Sequence, residues 1–127
     1  QHSTLDRVEA GGLLPLDRGA AGKVILAFGG ERGEAFDRIR ADFITTSFGE
    51  RDPDCAGIAC PVFGADGALA GALSVSGPKP RFTKDNSRSM SELLLDGALH
   101  LTRVLGGRND AMSRLGETRK KKVLVRA

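Results

Sequence analysis

Ser74 and Ser76 stand two residues apart in the run Leu-Ala-Gly-Ala-Leu-Ser-Val-Ser-Gly-Pro that ends at Pro78. In a strand, alternate side chains leave on opposite faces, so the two hydroxyls share one face while Leu73 and Val75 take the other. Hydroxyls so placed lie about 7 Å apart, a spacing that can hold a small carboxylate or carbonyl compound. A second polar element is the stretch Gly19-Ala-Ala-Gly22. Small side chains at a helix start leave the first N–H groups uncovered, and such groups attract anions. The same residues equally suit tight packing of a helix on a sheet. Glu50 and Asp52, in the charged loop 49–54, can accept hydrogen bonds from a ligand hydroxyl or stand in a solvated turn. Cys60 lies in an apolar run, where a thiol ordinarily behaves as a small buried hydrophobe. Use as a nucleophile requires a His or a cation beside it, and the two histidines, His2 at the terminus and His100 in a helical stretch, give a dyad little support.

Other chemistries are excluded by spacing. Ala21-Gly22-Lys23 lacks the rest of a phosphate-binding loop, because Asp17 stands where its first glycine belongs and Val24 where its Ser or Thr belongs. Cys55 and Cys60 with two distant histidines make no metal-ligand set, and no cofactor is implied. With no Trp or Tyr and six Phe, the chain is poor in platforms for stacking single-stranded bases. The net charge of +3 is unevenly spread. The last 20 residues carry seven basic groups against Asp110 and Glu117, which leaves residues 1–107 at −2 and without a footprint for a phosphate backbone. A run such as Arg119-Lys-Lys-Lys122 is most often solvated, and only sometimes a nucleic-acid or membrane contact.

The elements that must position these groups follow from pattern. The length of 127 residues suits one domain, expected over 1–107, with a basic tail over 108–127. Residues 3–9 read as a strand that Gly11-Gly12 ends, followed by an apolar connector holding Pro15. A helix is predicted from Asp17, which can cap it, to Phe28, and a shorter one over 33–43 with Phe36, Ile39 and Phe43 on one side. Residues 43–48 are β-branched and aromatic, hence a strand. Residues 58–78 read as a hairpin turned at Asp66-Gly67. Thr83 can cap a long helix toward Leu105, which Gly106-Gly107 stops; Val123 and Val125 lie in a segment, 122–126, expected to be an edge strand or disordered. The fold class is α+β, an antiparallel sheet backed by helices. The lack of a long apolar span and of a signal pattern points to a cytoplasmic protein with no membrane partner, and the Gln at position 1 suggests a fragment.

Four blocks together resemble the effector-binding domain of the IclR family of bacterial transcriptional regulators: Leu14-Pro-Leu-Asp-Arg-Gly-Ala-Ala-Gly-Lys23, Gly49-Glu-Arg-Asp-Pro53, Ile58-Ala-Cys-Pro-Val62 and Leu73-Ser-Val-Ser-Gly-Pro78. The resemblance implies a GAF-like domain that binds a small metabolite, acts as no enzyme and joins other subunits as a dimer or tetramer. It assigns DNA contact to a separate N-terminal winged helix-turn-helix domain, which this chain is expected to lack. Carried onto this sequence, the pocket comprises Ala20 and Ala21 as backbone donors to a carboxylate, Glu50 as acceptor for a ligand hydroxyl, Cys60 as a wall, and Ser74 and Ser76 as hydroxyl donors. Two features depart from the family pattern. Asp54 replaces a common Gly, and the segment between Phe28 and Phe43 is short. Two other readings are a GAF-like redox or thiol enzyme using Cys60, and an assembly module that binds no ligand.

Overall fold

Cys55 to Phe63 is a run of nine residues with no charge and no hydroxyl, so it has little to offer water on either face. It forms the central strand. The computed structural model describes residues 19–50 and 52–126, with side chains through Thr118. In chain order the elements are α1 (Ala20–Phe28), α2 (Glu34–Asp42), β1 (Thr45–Phe48), β2 (Cys55–Phe63), β3 (Leu69–Pro78), a 3-10 turn (Lys79–Arg81), α3 (Lys84–Val104) and α4 (Asp110–Arg126). The predicted strand at 3–9, the connector after it and the cap at Asp17 lie outside the described residues. The three described strands form one antiparallel sheet in the order β1-β2-β3, and the class is α+β as the pattern predicted.

The hairpin turns where Asp66-Gly67 predicts. Gly67 has φ +80°, which glycine adopts without strain, and the Ala68 N–H donates to Asp66 Oδ1 at 3.0 Å. Just before the turn the ladder shifts: Phe63 pairs with Leu69, but Val62 pairs with Gly71, so Ala70 is an extra residue in β3. The Phe63 N–H donates at the bulge to Oγ1 of Thr102 on α3, a buried bond of 3.1 Å. Pro61 is tolerated in the central strand because β1 pairs only as far as Ala59, short of the position where a proline N–H would be missed.

The two faces of the sheet are covered differently. Ile58, Cys60 and Val62 point toward α3; Leu95, Ala98 and Leu99 pack with Cys60 and Val62, and Phe82, Met90 and Leu94 with Ile58. Thr83 caps α3 as its sequence predicts, its hydroxyl accepting from the Asn86 N–H at 3.2 Å. Ala59 and Ala72 point the other way, toward Ala20, Val24 and Ala27 of α1 and Ile39 of α2. At one end the layers are joined by Phe28, Phe43 and Phe63, with Phe28 stacked on Phe43 at 5.6 Å and edge-on to Phe63 at 5.5 Å. Phe43 ends α2 with φ +58°, a left-handed conformation costly for an aromatic residue, and its ring contacts hold it there.

The segment after Gly107 differs from expectation. Residues 122–126 are helical, not an edge strand, as part of α4. Asn109 caps α4 through Oδ1 to the Met112 N–H at 3.0 Å, Met112 is wholly buried in the α3 core, and Gly116 lies against Leu99. Lys and Arg are sound helix formers, and a capped, core-anchored first turn sets the conformation that the two valines alone would not choose.

Candidate functional site

Residues directly opposed across an antiparallel ladder share a face. The register therefore lays out two rows on the α1 side of the sheet: Ser47, Gly57 and Ser76 in one, Thr45, Ala59 and Ser74 in the other. Each row has a hydroxyl at both ends and a glycine or alanine in the middle. The first turn of α1 lies over that middle. A side chain built on Gly57 would come within 3.9 Å of the Ala20 Cβ and 3.6 Å of the Ser76 Cβ, so the helix start, the bare strand and Ser76 meet at one point. Ala20 is buried there, Ala21 half-buried, and Ser74 and Ser76 are exposed beside the helix.

Among the described residues no side chain caps the N-terminus of α1: Gly19 occupies the cap position with φ +83° and can supply none. Its first N–H groups, with the positive end of the helix dipole, favour an anion. The far end is held by Arg40 of α2, whose Nη1 donates to the carbonyls of Ala27 at 2.5 Å and Glu31 at 2.7 Å.

Glu50 takes part through a residue that the sequence did not single out. Lys23 Nζ donates to Glu50 Oε2 and to the Thr46 carbonyl, each at 2.8 Å, tying α1 to β1 and the loop that follows it. The pair stands on the β1 side of α1, while the two serines stand on the β3 side. Thr45, Ser47 and Gly57 are also additions. A glycine inside an apolar strand is a signal for close backbone approach, and it was available at Gly57. Ser47 is buried, 5% exposed, and only the register connects it to Ser76.

Cys60 is placed elsewhere. It pairs with Leu73, points into the core under α3 and is 0% exposed, so it does not stand with Ser74 and Ser76 and no substrate reaches its thiol in this structure. The role of pocket wall does not fit that position, and neither does that of a nucleophile. Among the described residues no three of His, Cys, Asp and Glu gather where a metal ion could be held, and no helix is long and apolar enough to cross a membrane.

The described residues thus form an α+β domain with one face filled by large side chains and one of small residues edged by hydroxyls beside the start of α1. Residues 33–103 match the family described as bacterial transcriptional regulator IclR C-terminal, and the chain belongs to that family. The HTH-type transcriptional regulator KipR of Bacillus subtilis is 32% identical over 62 residues, covering 49% of this chain and 25% of KipR. Among solved structures, HmgR of Pseudomonas aeruginosa superposes with a TM-score of 0.70 at 26% identity, over 80% of this chain and 49% of HmgR. A double mutant of the inducer-binding domain of the transcription factor PobR from Acinetobacter, solved as a complex with 3-hydroxybenzoic acid, superposes with a TM-score of 0.62 over 70% of this chain and 66% of its own; at 21% identity the likeness is one of fold. The chain thus spans a quarter of KipR and about half of HmgR.

Proposed function

We propose that this chain is the effector-sensing part of a transcriptional regulator, and that its effector is a small organic acid. The observation that carries the reading is the meeting of the α1 start, with Gly19 at its cap position, and Ser76 over the bare backbone of Gly57. A carboxylate there would accept from the N–H groups of Ala20 and Ala21, and the hydroxyls of Ser74 and Ser76 would hold its second polar group. Glu50, with one oxygen held by Lys23, would accept from a ligand hydroxyl on the far side of α1. The 3-hydroxybenzoic acid bound to the double mutant of the PobR domain is a ligand of this chemical type, a carboxylate with a hydroxyl. The domain would act as a dimer or tetramer, and occupancy would shift the arrangement of subunits and so of DNA-binding domains attached to them.

Titration calorimetry against a panel of small hydroxy and aromatic acids tests this. Binding by the parent chain and its weakening by up to about tenfold in Ser74→Ala or Ser76→Ala, the loss of one hydrogen bond to the ligand's second polar group, is the expected result. Heat from no member of the panel, or binding indifferent to both substitutions, removes the proposal. The short connection between Phe28 and Phe43 favours a second reading, an assembly module without a ligand. That reading predicts a stable dimer by light scattering together with a silent calorimeter.

A further inference from the structure

We infer that α4 is a duplex-DNA backbone contact built into the chain after the effector domain. The family match ends at residue 103, and α4 begins at Asp110, so this helix is additional to the matched segment. Residues 1–107 carry a balance of −2, whereas the last 20 residues carry +5, concentrated in Arg119, Lys120, Lys121, Lys122 and Arg126. All the excess positive charge of the molecule therefore sits on one helix. That helix is fixed to the body: Met112 is buried in the core, and a side chain on Gly116 would come within 2.7 Å of Leu99 Cδ1. Beyond Gly116 the helix continues to Arg126, about 15 Å at the ordinary rise per residue. The basic cluster is thus carried on the same helix as its fixed root, in the turns that follow Gly116.

The choice between two polyanions follows from the pattern of the helix. Binding in a membrane interface needs a continuous apolar face opposite the charges. α4 is the least amphipathic of the four helices. A phosphate backbone needs only density of positive charge. DNA is also the polymer on which a transcriptional regulator works, and the contact would add affinity without sequence preference, since phosphates carry no base information.

The test uses the full chain and a fluorescently labelled duplex of arbitrary sequence, followed by anisotropy from about 50 mM to about 200 mM salt, where a backbone contact weakens steeply. The expected result is binding whose logarithm falls with the logarithm of salt at a slope of about −4, one phosphate for nearly every basic residue of the cluster. The combined substitution Arg119→Gln, Lys120→Gln, Lys121→Gln and Lys122→Gln should weaken binding at least tenfold and flatten the slope by about 3. Circular dichroism verifies that this variant keeps its helices, and Lys121→Glu alone should give a smaller loss in the same direction. Failure to bind the duplex at the lowest salt, equal binding by the combined variant, or preference for vesicles containing phosphatidylserine over the duplex overturns the inference. Each outcome is independent of effector binding, which is read by calorimetry on the other side of the molecule's sequence.

Discussion

The two faces of β2 and β3 are made from alternate residues of the same two strands, yet they are built on opposite terms. Toward α3 the side chains are large, Ile58, Val62, Leu73 and Val75, and a 21-residue helix with Leu95 and Leu99 closes over them. Toward α1 they are Gly57, Ala59, Ala72, Ser74 and Ser76, and the covering helix has nine residues and starts with alanines. Folding is driven by apolar area removed from water, so the α3 face carries most of the stability. The α1 face can leave the hydroxyls of Ser74 and Ser76 exposed because the other face holds the sheet in place. On the proposed function, stability and recognition are divided between the two sides of one sheet.

Substitutions on the two faces should separate these roles, and urea denaturation reads each. Leu95→Ala, at 1% exposure in the middle of the α3 core, should lower stability by about 2–5 kcal/mol. Thr102→Val keeps the shape but strands the buried Phe63 N–H at the bulge, a loss of about 1–3 kcal/mol. On the other face Lys23→Met removes a partly exposed ion pair with Glu50 and should change stability by no more than about 1 kcal/mol. Ser74→Ala and Ser76→Ala should move it by less than about 0.5 kcal/mol while weakening the effector. If these serine variants were as destabilised as Leu95→Ala, the division between faces would be wrong.

The smallest effect belongs to neither face. The Arg108 guanidinium, by hydrogen bond and then by charge, holds the Asp110 carboxyl below its ordinary value of 3.8. A carboxyl depressed in the folded state contributes stability that is present above its unfolded value and is lost as pH falls through the folded one. The contribution should therefore fade only below about pH 4, and Asp110→Asn should remove that part of the acid dependence.

Local signals carried most of the architecture. Thr83 announces α3, Asp66-Gly67 announces the hairpin, and the alternation of Leu73 to Ser76 places the hydroxyls away from the core. The position of Cys60 was not legible, for a definable reason. Had the ladder run on unbroken from the Phe63–Leu69 pair, Cys60 would oppose Ala72 and share the serine face. The extra Ala70 shifts the register by one, and a shift of one turns every facing residue over. An all-apolar strand such as β2 gives no alternation by which to detect this. Lys23 and Ser47 were missed because their partners, Glu50 and the row ending in Ser76, are distant in sequence and are brought near only by pairing and by the placement of α1. The helicity of α4 was hidden because its anchors, Met112 and Leu115, are two core-facing residues in a largely polar stretch.

Each end of α1 is fastened by one basic side chain that bridges two acceptors. Arg40 Nη1 of α2 reaches the carbonyls of Ala27 and Glu31 past the C-terminal end, and Lys23 Nζ in the first turn reaches Glu50 and the Thr46 carbonyl. The helix is therefore a tie-bar between α2 and the loop after β1, and a ligand that displaced it would pull on both.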